Sequence, residues 1–220
     1  MTTTVITGAN RGIGLELTRQ SAARGDDVIA VCRNAGSELE SLGVRVESGI
    51  DVSVQEDVDD LAARLSDTSI DTLISNAGIL SRQSLDNLDF DEIRRQFEVN
   101  SLGPLRVTAA LRPQLKDGAK VAIVTSRMGS IADNTSGGHY GYRMSKCAVN
   151  MAGVSLARDL KDRDISVILL HPGYVDTDMT NHSGNVAPAD AAAGLLQRID
   201  ELTLNSSGVF RHANGEDLPW

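Results

Sequence analysis

The chain has 220 residues, 41% of them hydrophobic, and a formal net charge of −9, which argues against a broad nucleic-acid-binding surface though not against a small basic pocket. That length suits a single domain over residues 1–220 with a two-sided core. Cys32 and Cys147 are too few and too far apart for a disulfide framework or a clustered metal site, and no run approaches eighteen unbroken apolar residues; the expectation is cytoplasmic residence with no membrane partner.

Along the chain, the apolar runs TTTVIT, DVIAV, VRVESG, DTLIS, KVAIVT, ISVILL and GVF read as seven strands. Helical spacing falls at residues 12–25, 53–66, 89–116 and 140–163. The strand runs are nearly continuous in apolar character, as strands covered on both faces should be. The alternation predicts an α/β fold: a Rossmann-type, three-layer, doubly wound sandwich around a seven-stranded, mostly parallel sheet. Pro172 and Gly173 punctuate the exit from the sixth strand. The polar stretch from Asp176 to Pro188 is expected to be a mobile loop over the site.

The first run passes into Thr7-Gly8-Ala9-Asn10-Arg11-Gly12-Ile13-Gly14. Glycine in such a turn lets the backbone take positive φ and approach a pyrophosphate, and the following helix aims its unpaired N–H groups at that anion. A tight strand-to-helix turn without a ligand would look similar. The context favours a dinucleotide, because a second strand ends at Cys32-Arg33, where the ribose would lie. An NAD site needs a carboxylate there. With Cys32 in its place, Arg33 and Arg11 could clamp a 2′-phosphate, so NADP(H) is favoured over NAD(H); the alternative is that both arginines are merely solvated. Asp51, with Val52 beside it, could accept from the adenine amino group, or Asp51 or Ser53 could cap a helix. Asn76-Ala77-Gly78 puts small residues where backbone must pass close to a cofactor, although alone it is only a turn.

Tyr142 and Lys146 share one helix face, so the ammonium can favour the ionised phenol and make Tyr142 a general acid/base. Ser126, at the end of KVAIVTS, is placed to hydrogen-bond a reacting carbonyl; the duller reading is a strand-end turn. Tyr140 is the rival phenol, but Met144 stands where its lysine would be. His139, His171 and His182 lack the spacing and carboxylate companions of a metal site, so no metal is predicted. Ser126, His139 and Asp133 lack the GxSxG elbow of a hydrolase.

Taken together, TGANRGIG, NAG, YRMSK and HPGYVDTDM resemble the short-chain dehydrogenase/reductase family over essentially the whole chain. RGIGLEL, the long SRMGSIADNTSGGHYGYRMSK stretch and the GVFRHANGEDLPW ending are most similar to its C-factor-like and sniffer-like carbonyl reductases. The resemblance implies that Asn100 in FEVNSLG is a fourth catalytic residue, anchoring a water that leads protons to Lys146. It also implies that Pro172, Gly173, Val175 and Thr177 belong to a nicotinamide-carboxamide loop, and that the Ile13 backbone meets the pyrophosphate. Ser75 departs from the family's NNAG. The stretch from Ser126 to Tyr142 is longer than usual, which leaves Ser130 as a competitor, although SRMG fits the SxxG pattern at Ser126.

The expected function is NADP(H)-dependent interconversion of a small-molecule ketone or aldehyde and an alcohol. The pocket would be sketched by His139, Tyr140, Tyr174, Met128 and Met179. The rival is a C-factor-type regulatory protein that binds the cofactor with little turnover. Helical stretches at 100–116 and 146–160 carry apolar residues on more than one face, which predicts a homodimer or burial under neighbouring loops.

Overall fold

A computed structural model describes all residues, Met1–Trp220. Seven strands form one sheet: β1 (Thr3–Thr7), β2 (Asp27–Val31), β3 (Arg45–Glu47), β4 (Ile70–Ser75), β5 (Leu115–Val124), β6 (Ser166–His171) and β7 (Val209–His212). Their order is β3-β2-β1-β4-β5-β6-β7. Every pairing is parallel, so the sheet expected to be mostly parallel is wholly so.

The continuous apolar runs are explained by the pleat. Val5, Ile29, Val31, Leu73, Val121 and Ile123 enter one core with α3 (Gln55–Arg64), α5 (Gly103–Leu111) and α6 (Tyr140–Asp159). Their neighbours Ile6, Val28, Ala30, Ile74 and Ala122 enter the opposite core with α1 (Gly12–Ala23) and α7 (Pro188–Asp200). The inner strands β2, β1, β4, β5 and β6 bury both faces along their apolar runs, so no position there needs to be polar. The chain winds outward from β1 to β3 and then returns to lay β4 on the other side of β1, opening a crevice at the carboxyl ends of those two strands.

Two helical expectations change. The stretch read as one helix over 89–116 is divided into α4 (Phe90–Phe97), a π-helical turn (Glu98–Leu102) and α5, and β5 already begins at Leu115. Pro104 in the first turn of α5 cannot donate to the preceding backbone, which favours the widened turn there. α7 and the short α2 (Ser37–Glu40) were not anticipated. The signal for α7 was present: Pro188 opens it, and Ala191, Ala192, Leu195, Leu196 and Ile199 form its buried stripe.

Candidate active site

The glycine turn is shaped by contacts that leave no room for side chains. Gly8 and Gly12 take φ of +66° and +52°. A Cβ on Gly8 would stand 2.8 Å from the Ala77 Cα, and one on Gly14 would overlap the Gly8 carbonyl oxygen. The turn is tied to the end of β4 through Thr7, whose hydroxyl accepts from the Asn76 and Ala77 amides at 3.1 and 3.3 Å. Asn76 returns its side-chain amide to the Thr7 and Gly8 carbonyls at 3.2 and 3.1 Å. Asn10 reaches the Asn34 carbonyl at 3.0 Å, joining the turn to the end of β2. At the start of α1 there is neither a side-chain cap nor an acidic residue in the first turn. Its N–H groups therefore face the cleft with their positive dipole uncompensated, which suits an anion.

One cleft of about 850 Å³ runs from this turn past Arg33 and Val52 to Tyr142 and Lys146. The two arginines are already paired: Arg33 Nη1 lies 3.6 Å from Asp51 Oδ2, and Arg11 Nη1 lies 2.8 Å from Asp178 Oδ2. Both pairs are solvent-exposed, so ligand phosphate oxygens can replace the carboxylates at small cost. Asp51 accepts from the Ser53 amide at 2.9 Å and its hydroxyl at 2.6 Å, and because α3 is entered through Val54 with no side-chain cap, neither Asp51 nor Ser53 is its N-cap. Its carboxyl lies below the ordinary range: burial raises it, but the bonds from Ser53 and the charge of Arg33 more than offset that.

The segment after β6 is built rather than open. Gly173 turns at φ +96°, Val175 is buried and bridges to Val186, and Thr177 caps a 3-10 turn at Asp178–Thr180. A Cβ on Gly12 would meet the Thr177 methyl at 3.3 Å. His182 bonds Asp176 at 3.0 Å and Asp178 at 3.1 Å. The stretch expected to be a mobile loop carries a hydrogen-bonded turn, joined to the glycine turn by Arg11 and Asp178.

On the far side, Tyr142 and Lys146 are both buried on α6. Ser126 lies close enough to the Tyr142 phenol to influence its ionisation, and its hydroxyl accepts from the Met128 amide at 3.1 Å. Its competitor Ser130 is buried in a turn, accepting from the Asp133 amide at 3.0 Å, so the structure favours Ser126. Gly129 explains the SxxG pattern, since a Cβ there would stand 2.7 Å from the Lys146 backbone carbon. The electrostatics differ from the expectation drawn from spacing alone. Lys146 Nζ lies 5.8 Å from the Tyr142 ring centroid but donates to the Val124 carbonyl at 2.9 Å. Burial raises the phenol above its usual value of 10.0, with the nearby Ser126 side chain acting against that, and burial lowers the Lys146 amine to about 8. Desolvation outweighs the attraction that the spacing implied.

Asn100 is fully buried in the π-helical turn. Its side chain accepts from the Ile79 amide at 2.8 Å and donates to the Ile79 carbonyl at 2.9 Å and the Ser145 hydroxyl at 3.1 Å. Ser145 in turn donates to the Tyr142 carbonyl at 2.8 Å. Asn100 therefore braces the segment after Asn76-Ala77-Gly78 against α6. The braces Thr7, Ser145 and Gln83 were not singled out from sequence; their signal was a polar residue at a position the periodicity buries. Of the histidines, His171 is packed edge-on to His212 with centroids 4.8 Å apart, and burial pushes its pKa down to about 3, keeping it neutral.

Residues 2–186 match the short chain dehydrogenase family model, and the chain belongs to the short-chain dehydrogenase/reductase family. It is an oxidoreductase of the carbonyl reductase-like kind, and its relatives sharpen that class. Over the full length of both chains it is 49% identical to a 1-hydroxy-2-glutathionyl-2-methyl-3-butene dehydrogenase of Rhodococcus sp. (strain AD45). It is 46% identical to the C-signal of Myxococcus xanthus over 69% of this chain and 93% of that protein. The carbonyl reductase Sniffer of D. melanogaster superposes with a TM-score of 0.94 at 29% identity, covering all of both chains. An NADPH-bound carbonyl reductase from chicken fatty liver superposes with a TM-score of 0.91 at 28% identity, covering 99% of this chain and 98% of that one.

Proposed function

We propose that the chain is an NADP(H)-dependent oxidoreductase that interconverts a ketone or aldehyde with its alcohol. The carrying observation is that Tyr142 and Lys146, with the amine 5.8 Å from the phenol ring centroid, line one end of a cleft whose other end is the open start of α1. The fit to a dinucleotide rests on that helix start, on the tight packing of the turn at Gly8 and Gly14 that sets it against β4, and on Arg11 and Arg33 beside a position that lacks a carboxylate. The Ile13 backbone with Gly8, Asn10, Gly12 and Gly14 would hold the pyrophosphate. Arg11 and Arg33 would hold the 2′-phosphate, Asp51 and Val52 the adenine. Asn76, Ala77 and Gly78 would line the passage to the ring, with Pro172, Gly173, Val175 and Thr177 at its carboxamide.

The bound nicotinamide supplies or accepts the hydride. In reduction, Tyr142 gives its proton to the carbonyl oxygen while Ser126 donates a hydrogen bond to the same oxygen and stabilises the charge gathering there. In oxidation, Tyr142 takes the alcohol proton, and the neighbouring Lys146 charge stabilises the phenolate. Asn100 holds Ile79 and Ser145, and with them the two walls around the Lys146 amine. A panel of aldehydes, ketones and alcohols assayed with NADPH and NADH tests this reading. No turnover with any pair would reject it.

The Rhodococcus relative favours a narrower substrate class, alcohols or carbonyls borne on glutathione conjugates. The Myxococcus relative keeps a regulatory role in play, separable by mutation as set out below. Leu102, Leu105, Met144 and Met151 are exposed on the π-helical turn, α5 and α6, which supports a homodimer. Light scattering that found only monomer would reject the dimer.

A further inference from the structure

The turn that carries Ser126 is too short to hold itself. Ser126 caps a single 3-10 turn, Arg127–Gly129, by accepting from the Met128 amide at 3.1 Å, and the Gly129 and Ser130 amides donate to the Ser126 and Arg127 carbonyls at 2.8 and 3.0 Å. So short a turn has little stability of its own, and the direction of the Ser126 hydroxyl is set by what grips the turn from outside. On one side Gly129 lies against the Lys146 backbone. On the other, Arg127 stands between two carboxylates, with Asp133 Oδ2 2.8 Å from its Nε and Glu216 Oε1 2.9 Å from its Nη2.

Glu216 comes from the far edge of the sheet. Gly215, at φ +98°, reverses the chain after β7, and the returning residues run antiparallel along the outer edge of that strand. There the His212 amide donates to the Glu216 carbonyl and the Leu218 amide to the Phe210 carbonyl, both at 2.8 Å, and Arg211 Nε pairs with Asp217 at 2.6 Å. Leu218 is buried with Phe210 and Leu169, and the Trp220 ring stacks on Phe210 with centroids 5.4 Å apart. From this anchorage the arm meets the serine turn and the residues after it at two points. The Glu216 carboxylate takes Arg127, and the Trp220 carbonyl accepts from the Ala132 amide at 2.9 Å. β7 is two strands from β5, about 10 Å at the usual spacing, so the strand itself lies too far off to touch the turn and the arm closes the gap.

We propose that residues 216–220 form a strut for the Ser126 turn and that Glu216, acting through Arg127, is a positioning residue for the Ser126 hydroxyl. This rests on the oxidoreductase reading above, in which Ser126 donates to the reacting oxygen, and adds to it a residue remote from the cleft. Magnitudes separate position from stability. The side chains of Arg127, Asp133 and Glu216 are 41%, 35% and 52% exposed, so their pairing contributes little to stability. A reacting group displaced by about 1 Å, in contrast, can lose about 10²-fold in rate.

The test combines Glu216→Gln with Ser126→Ala, singly and together, at saturating NADPH with an aldehyde that the wild type reduces. Glu216→Gln should lower kcat by about 3–10-fold, with NADPH affinity within about 2-fold and Tm within about 2–4 °C of wild type. In the Ser126→Ala background the same change should cost less than about 1.5-fold, because the group it positions is gone. An equal loss in both backgrounds, or none in either, would overturn the positioning role. Hydrogen exchange reads the strut without turnover: Glu216→Gln should speed the Met128, Gly129 and Ser130 amides by about 3–10-fold and leave those of Val121–Val124 unchanged. Faster exchange confined to the turn upholds the strut even if no carbonyl compound reacts, a result that would count against the reductase alone. Unchanged exchange at the turn would overturn the strut whether or not the chain is a reductase.

Discussion

The two ends of the cleft are stabilised in opposite ways. At the proposed catalytic end, Ser126, Tyr142, Lys146 and Asn100 are buried, and the side chains of Ser126, Lys146 and Asn100 are bonded to other parts of the same chain. At the cofactor end, Arg11 and Arg33 are exposed and rest on Asp178 and Asp51, partners that a phosphate can displace. A buried bond left unmade costs roughly 1–3 kcal/mol, whereas an exposed ion pair contributes roughly 0–1. The chemistry is thus fixed before anything binds, and the binding electrostatics are left exchangeable.

The sharpest way to break this contrast is Tyr142→Phe, which should lower turnover by about 10²–10⁴-fold, the usual worth of a positioned acid/base, with NADPH titration unchanged. Retained carbonyl reduction would remove the mechanism. If the regulatory role is the real one, the same variant keeps its biological effect while Gly14→Trp loses it. Next in size is Gly14→Ala: its Cβ would press on the Gly8 carbonyl, so stability should fall by about 1–3 kcal/mol and cofactor binding should be lost. Denaturant unfolding and a binding titration would show this, and a wild-type profile would mean the turn is looser than described.

Lys146 gives the buried end a pH signature. Its amine titrates at about 8 in the folded protein against 10.5 when free, so below pH 8 folding must hold a charge in a poorly solvated place. In that range the burial is destabilising. The penalty is relieved as pH rises between those two values, because there the unfolded chain binds the extra proton. Lys146→Met should therefore gain about 1–3 kcal/mol at pH 7 relative to wild type, and that gain should shrink toward pH 10. Urea midpoints across pH that kept a constant offset would contradict it.

At the exposed end, Arg33→Ala should weaken NADPH by about 10–150-fold and spare NADH. Asp178→Asn frees Arg11 and should tighten NADPH by only about 2–5-fold. Equal effects on both cofactors would mean that these arginines do not read the 2′-phosphate.

Much of this was legible in the residues. The apolar runs marked the inner strands because those are buried on both faces, and the Gly8–Gly14 and Tyr142–Lys146 spacings marked both ends of the cleft. The π-helical turn at Glu98–Leu102 stayed hidden, since a single widened turn barely disturbs helical periodicity. Likewise, the bonds of Asn100 to Ile79 and Ser145 join residues distant in sequence. The direction of the Tyr142 shift was misread for a related reason: spacing reports which groups are neighbours but not how much water they keep.

Gly129 lies flush against the backbone of Lys146, so the turn that carries Ser126 is keyed into α6. Hydroxyl, phenol and amine consequently travel as one rigid block. Residues 131–138 are moored to that block at three points, Asp133 to Arg127 and Ser136 and Gly137 to Arg143, so a replacement of this stretch has to keep those moorings if the reaction is not to be retuned.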